Sequence, residues 1–195
     1  MSVVGGDDYY PLSESEIFSE SGSESGEKIS AETLAVTAAL TASGILGRVA
    51  LQHYPSIETV LPLAIAVGFY GGKKQGLASG MTGFYATNFL VYGGQGPWTF
   101  YQMAGAGLAA LTASYLSKIS SGRKMYFASL FTGTVAFELV VNGVSLILSG
   151  TGLLSVPAYL LAAVPFALTH LVSTLGFGVT IYGFNRTLGK VYGRS

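Results

Sequence analysis

The run MYFASLFTGTVAFELVVNGVSLILS occupies residues 125–149, and Glu138 is its only charged side chain. A bilayer hydrocarbon core about 30 Å thick is crossed by roughly 20 helical residues. The run is therefore long enough and apolar enough to span one, and it far exceeds the usual strand of about 5–6 residues. Cutting the rest of the chain at its glycines, prolines and charge clusters yields five further stretches, at 31–51, 57–71, 76–92, 99–117 and 157–184. The second is short and contains Pro62, so it is expected to be tilted, broken or shielded by its neighbours. The fold class that follows is an all-α integral membrane protein, with six transmembrane helices forming one compact bundle over residues 30–195.

Composition supports the same class. Hydrophobic residues make up 50% of the chain and charged ones 10%, whereas a water-soluble domain carries roughly a quarter charged residues. Seven of the ten acids precede position 28: Asp7, Asp8, Glu14, Glu16, Glu20, Glu24 and Glu27. Residues 1–29 thus read as a disordered acidic tail, with too little apolar surface to offset the entropy of ordering. They have neither the basic start nor the apolar stretch of a signal peptide. The absence of cysteine excludes disulfides, thiolate metal sites and cysteine nucleophiles.

The basic residues give an orientation. With six spans, Lys28, Lys73, Lys74, Lys118, Arg123, Lys124, Arg186, Lys190 and Arg194 fall on one side, and the opposite loops carry only Arg48. The positive-inside rule places both termini in the cytoplasm, in a multi-pass protein of the cell membrane. An odd number of crossings would scatter these charges over both faces. Small residues add a packing expectation: Gly68, Gly72, Gly76 and Gly80 recur every fourth position, and Gly105 and Gly107 lie early in the fourth span. Such spacing lets helix backbones approach closely. Ala31, Ala35 and Ala39 form a similar stripe on the first span, with Ala38 and Ala42 beside it, suited to internal packing or to docking another membrane protein.

A charge at the centre of a membrane helix costs about 2.5–3.5 kcal/mol on insertion scales, so each polar group there needs a partner, water or a ligand. Glu138 and Asn142 lie one turn apart on one helix face. His170 follows Pro165 in the sixth span, Asn88 is in the outer half of the third, and Gln102 opens the fourth. Two readings of these five groups stand side by side. They line a pocket that opens outward above a floor of Glu138 and His170, or they form an internal network, such as a Glu138–His170 hydrogen bond, that only holds the bundle together. The loop GGQGPWTFYQM, residues 93–103, lies next to them. Pro97 suits a first helical turn, Trp98 suits the headgroup level, and Trp98, Phe100 and Tyr101 offer rings for stacking on a ligand.

Several of these features in order resemble one family. They are Gly47–Arg48, a proline-containing outer loop, a glycine-rich connection between the second and third spans, Asn88, the motif GQGPWT at 94–99, then Gln102, Met103, Gly107 and Leu108. The chain resembles the membrane-embedded substrate-binding subunits, or S components, of energy-coupling factor transporters. The likeness is strongest over residues 31–113 and weak in the last two spans. It implies six helices with cytoplasmic termini, capture of a vitamin or related micronutrient from outside, and association with a transmembrane coupling subunit and two ATPase subunits. It also implies that Ala31, Ala35 and Ala39 meet the coupling subunit, and that Trp98, Gln102, Glu138 and Asn142 fall in the ligand region, with Asn88 and His170 as further candidates. The acidic tail is no part of the family pattern.

Other chemistries find little support. No GxxxxGK[ST] phosphate loop is present, so ATP hydrolysis is assigned to partners and the chain itself is not expected to be an enzyme. His53 and His170 lie in different regions and no HExxH motif occurs, which leaves no metal site and no resident cofactor to assign. The basic residues suit topology rather than nucleic-acid binding. Two rival functions remain: a membrane enzyme using Glu138 and His170 as an acid/base pair, and a non-catalytic scaffold whose glycine and alanine stripes only join helices. For a captured ligand, the side chains suit a flavin, a thiamine-like ring, a corrinoid or a modified nucleobase, with the central carboxylate favouring donors or positive charge.

Overall fold

The computed structural model describes residues 29–150 and 152–193. The proposed tail lies outside them except for Ile29. Among the described residues the fold is all-helical: α1 Ala31–Ala50, α2 Val60–Gly71, α3 Lys73–Thr87, α4 Pro97–Ile119, α5 Arg123–Leu148, a 3-10 turn Leu153–Ser155, α6 Val156–Tyr182 and a short α7 Asn185–Val191. Three of these, α1, α5 and α6, are both long and apolar enough to cross a membrane. The protein is a helical membrane protein, and its surface agrees. Leu139 is 70% exposed, Ile147 78% and Val172 70%, a density of bare aliphatic side chains that water-soluble proteins rarely tolerate.

The short second segment turns out to be the centre of the molecule. All residues from Val60 to Tyr70 are buried, and α2 packs against α1, α3, α4, α5 and α6. At 12 residues it is only about 18 Å long. The continuous apolar character of VLPLAIAVGFYG follows from burial on every side, because no face is left for polar residues. Pro62 sits in its first turn, where a missing N–H breaks no helical hydrogen bond.

Glycine makes the close approach possible. A Cβ at Gly68 would collide with the backbone carbonyl of Ala110 on α4, and one at Gly76 would stand 2.6 Å from the Cα of Gly68. The chain turns between α2 and α3 at the single residue Gly72, whose φ of 88° lies in the left-handed region that glycine enters without strain. The third helix therefore begins at Lys73, earlier than the expected position 76, and ends at Thr87 rather than 92. Beyond it the side chain of Asn88 bonds forward to Thr99 and Gln102 instead of continuing outward. Gly93 and Gly94, with φ of 93° and 62°, turn the chain back. Pro97 starts α4, and the Gly96 N–H meets the Thr99 hydroxyl at 3.4 Å.

The C-terminal end differs from expectation in having α7 after α6. It is fastened to the start of α1: the Thr33 hydroxyl donates to the Val191 carbonyl at 3.2 Å, and the Thr37 and Tyr192 hydroxyls lie 2.9 Å apart. Lys73 and Lys118 both rest against the Tyr115 ring, at 4.7 and 5.4 Å from its centroid. An open cavity lined by Ser30, Lys73, Lys74, Lys118 and Tyr192 gathers these elements at one end of the bundle. Arg48, in the last turn of α1, belongs to the other.

Candidate functional site: a polar cavity at the Arg48 end

Three segments far apart in sequence meet beside the N-terminus of α2. Glu58, two residues before that helix, accepts the backbone N–H groups of Val60 at 2.6 Å and Leu61 at 2.9 Å. A carboxylate is favoured there because the first N–H groups of a helix have no internal acceptor and the dipole is positive at that end. The Glu58 Oε1 also lies 3.0 Å from His170 Nε2, while His170 Nδ1 lies 2.6 Å from Glu138 Oε1. Asn142 Nδ2 donates to the second oxygen of Glu138 at 2.7 Å. The chain of contacts thus runs from the start of α2 through α6 to α5, with the Phe137 ring perpendicular to the imidazole at 5.2 Å between centroids.

Both ring nitrogens of His170 face carboxylate oxygens. An imidazolium satisfies them with two N–H donors, whereas the neutral ring has only one. Two carboxylates around one imidazolium leave a single negative charge. The carboxylates stand on opposite sides of the ring and do not converge on a point, and no metal-holding cluster exists among the described residues.

Arg48 lines the same cavity as this trio. Its Nη1 donates to the Thr87 hydroxyl at 2.6 Å, and its guanidinium carbon lies 4.6 Å over the Phe84 ring. Arg48 and the trio line one open cavity of about 350 Å³, within the range of small-molecule sites. Gln52, Gln102 and Asn142 supply amides to its wall, and Tyr54, Phe84, Tyr92, Phe137 and Phe166 supply rings. Glu138 and Asn142 also edge an apolar crevice of about 440 Å³ between α5 and α6.

Of the residues singled out from sequence, Gln102, Glu138, Asn142 and His170 line this cavity. Asn88 does not; it is buried behind the wall, donating to the Gln102 side-chain oxygen at 2.8 Å and to the Thr99 hydroxyl at 2.9 Å. Trp98 is also outside the lining, since its indole N–H closes on the Gly94 carbonyl at 3.1 Å and turns the ring back onto its own loop. Phe100 is 71% exposed, and the rings at the cavity come from other segments. Ala31, Ala35 and Ala39 all lie on the outer surface of α1.

Sequence reasoning passed over Arg48 and Glu58. A signal existed for Arg48, the one basic residue outside the opposite cluster. Glu58 sits where an acid ordinarily caps a helix, and nothing local indicates the His170 contact 112 residues away. No family model, curated protein or solved structure matches the chain.

Proposed function

We propose that this chain is the substrate-capture subunit of an importer of the energy-coupling factor type, taking a ring-bearing micronutrient from the outside into the Arg48-end cavity. The observation that carries the reading is the convergence of Gln102, Glu138, Asn142 and His170, from α4, α5 and α6, on one open cavity walled by aromatic rings. A scaffold gains nothing from an accessible polar cavity, given the cost of polar groups in a membrane. Enzyme chemistry is less favoured, because the mutual hydrogen bonds of Glu58, His170 and Glu138 hold the ring nitrogens away from a substrate.

In this reading the helices make six crossings, the lysine-rich end faces the cytoplasm and the cavity faces outward. The chain passes its ligand on through a transmembrane coupling subunit driven by two ATPase subunits. The outward-facing Ala31, Ala35 and Ala39 of α1 form the docking surface for the coupling subunit, where small side chains permit close helix contact. Ligand release then requires the cavity to change its exposure, with ATP as the energy source. Mass spectrometry of small molecules retained by the purified chain identifies the ligand. Glu138→Ala and Asn142→Ala each weaken its binding while leaving membrane insertion intact; unchanged affinity in both variants would remove the cavity from consideration as the capture site.

A further inference from the structure

We infer that the captured molecule presents an oxyanion, a carboxylate in the first instance, to Arg48, and a hydrogen-bond donor to Glu138 and Asn142 of the same cavity. The inference rests on the capture reading and narrows its substrate class. Its basis is an asymmetry in how the charged side chains of the cavity are satisfied.

The Glu58, His170 and Glu138 groups are engaged with one another. Glu58 receives two backbone N–H groups and one side of the imidazole; Glu138 receives the other side and the Asn142 amide. Arg48 makes no direct ion-pair contact among the described residues, although the Glu58 carboxylate of the same lining attracts it at longer range. Among the described residues both ion pairs belong to His170. The guanidinium has five N–H donors, of which Nη1 is held by a neutral hydroxyl, and one face of the group rests on a ring. Such a group is oriented, its remaining N–H donors contact no carboxylate among the described residues, and its planar fork matches a carboxylate or phosphate in bidentate geometry. The lining adds amides and phenols from Gln52, Gln102, Tyr54 and Tyr92, and its other basic side chain, His170, is already engaged by Glu58 and Glu138.

The two poles also set a sign pattern. Arg48 contributes one positive charge to the wall and the trio one negative charge, so an anion alone meets repulsion at Glu138 and a cation alone meets it at Arg48. An amphoteric molecule satisfies both ends. The aromatic lining between them, Phe84, Phe137 and Phe166, suits a planar ring connecting the two functions.

The test uses the full chain in lipid nanodiscs and matched probe pairs: nicotinate with nicotinamide, 4-aminobenzoate with 4-aminobenzamide, orotate with its amide and indole-3-acetate with its amide. Thiamine and choline serve as cations. Binding is read by thermal shift and by equilibrium titration. The expected result is that acids bind at least tenfold tighter than their amides, that Arg48→Gln abolishes this preference, and that Arg48→Lys retains part of it. Thr87→Val, which removes the hydroxyl that holds Nη1, weakens the acid preference without abolishing it. If Arg48→Gln fails to fold, the acid-to-amide ratio in the unaltered protein and in Arg48→Lys still decides the matter. Equal binding of acids and amides, or a preference that survives Arg48→Gln, overturns the inference. Binding by the cations alone overturns it too but leaves the capture reading standing, whereas a panel in which no class binds counts against both.

Discussion

Replacing His170 by alanine strands two carboxylates that the ring now holds apart. Glu58 is buried, and its oxygen nearest the ring would keep only the Leu61 N–H; Glu138 would keep only Asn142. Removing one partner from a buried ionic contact costs about 3–5 kcal/mol, because the remaining charge is left uncompensated. The backbone N–H groups on Glu58 and the amide on Glu138 soften the effect, so we expect the lower half of that range, about 3–4 kcal/mol. At roughly 2–4 °C per kcal/mol for a chain of this size, the melting temperature should fall by about 6–16 °C. Unfolding of the ligand-free protein in nanodiscs at neutral pH measures it. A second substitution isolates the cause: Glu138→Gln introduced into the His170→Ala background should recover part of the loss, with a coupling of more than about 1 kcal/mol. A His170→Ala protein that melts within about 2 °C of the unaltered one, or a double variant whose losses simply add, would refute the argument.

Three other outcomes are expected. Gly68→Val places a side chain against the Ala110 carbonyl and should destabilise by about 1–3 kcal/mol or more, since overpacking against backbone relaxes poorly; a neutral melting temperature would show that the α2–α4 contact is looser than described. Asn88→Ala leaves the Gln102 oxygen without its donor and the Thr99 hydroxyl with only the Gly96 N–H, at a cost of about 1–3 kcal/mol, and should speed amide exchange in residues 93–96; unchanged exchange there argues against Asn88 as the fastener of the loop. Ala35→Trp should reduce recovery of the coupling subunit by affinity purification while sparing ligand affinity, and normal assembly would remove α1 as the docking face.

The membrane class was legible because it depends on composition and run length, which are local. The burial of α2 was partly legible, since a short apolar stretch with Pro62 has to be shielded by something. The boundaries of α3 were not, because the α2–α3 turn depends on one left-handed glycine and the end of α3 depends on where Asn88 finds partners eleven and fourteen residues later. At the cavity, Glu138 and His170 stood out as costly residues inside apolar runs, and Asn142 followed from helical spacing. Glu58 was hidden by its ordinary role at a helix start. Trp98 was misleading because an aromatic ring beside glycines reads the same whether it faces a ligand or, as here, folds onto its own loop.

The enclosure of α2 bears on how the chain is made. Eleven consecutive residues, Val60 to Tyr70, have no face left to offer acyl chains, and a helix about 18 Å long is too short to be a self-sufficient anchor. During synthesis it emerges before α4, whose Ala110 carbonyl leaves no room for a side chain at Gly68. It must therefore be chaperoned, by the insertion machinery or by α1 and α3, until that later helix arrives to complete its surroundings.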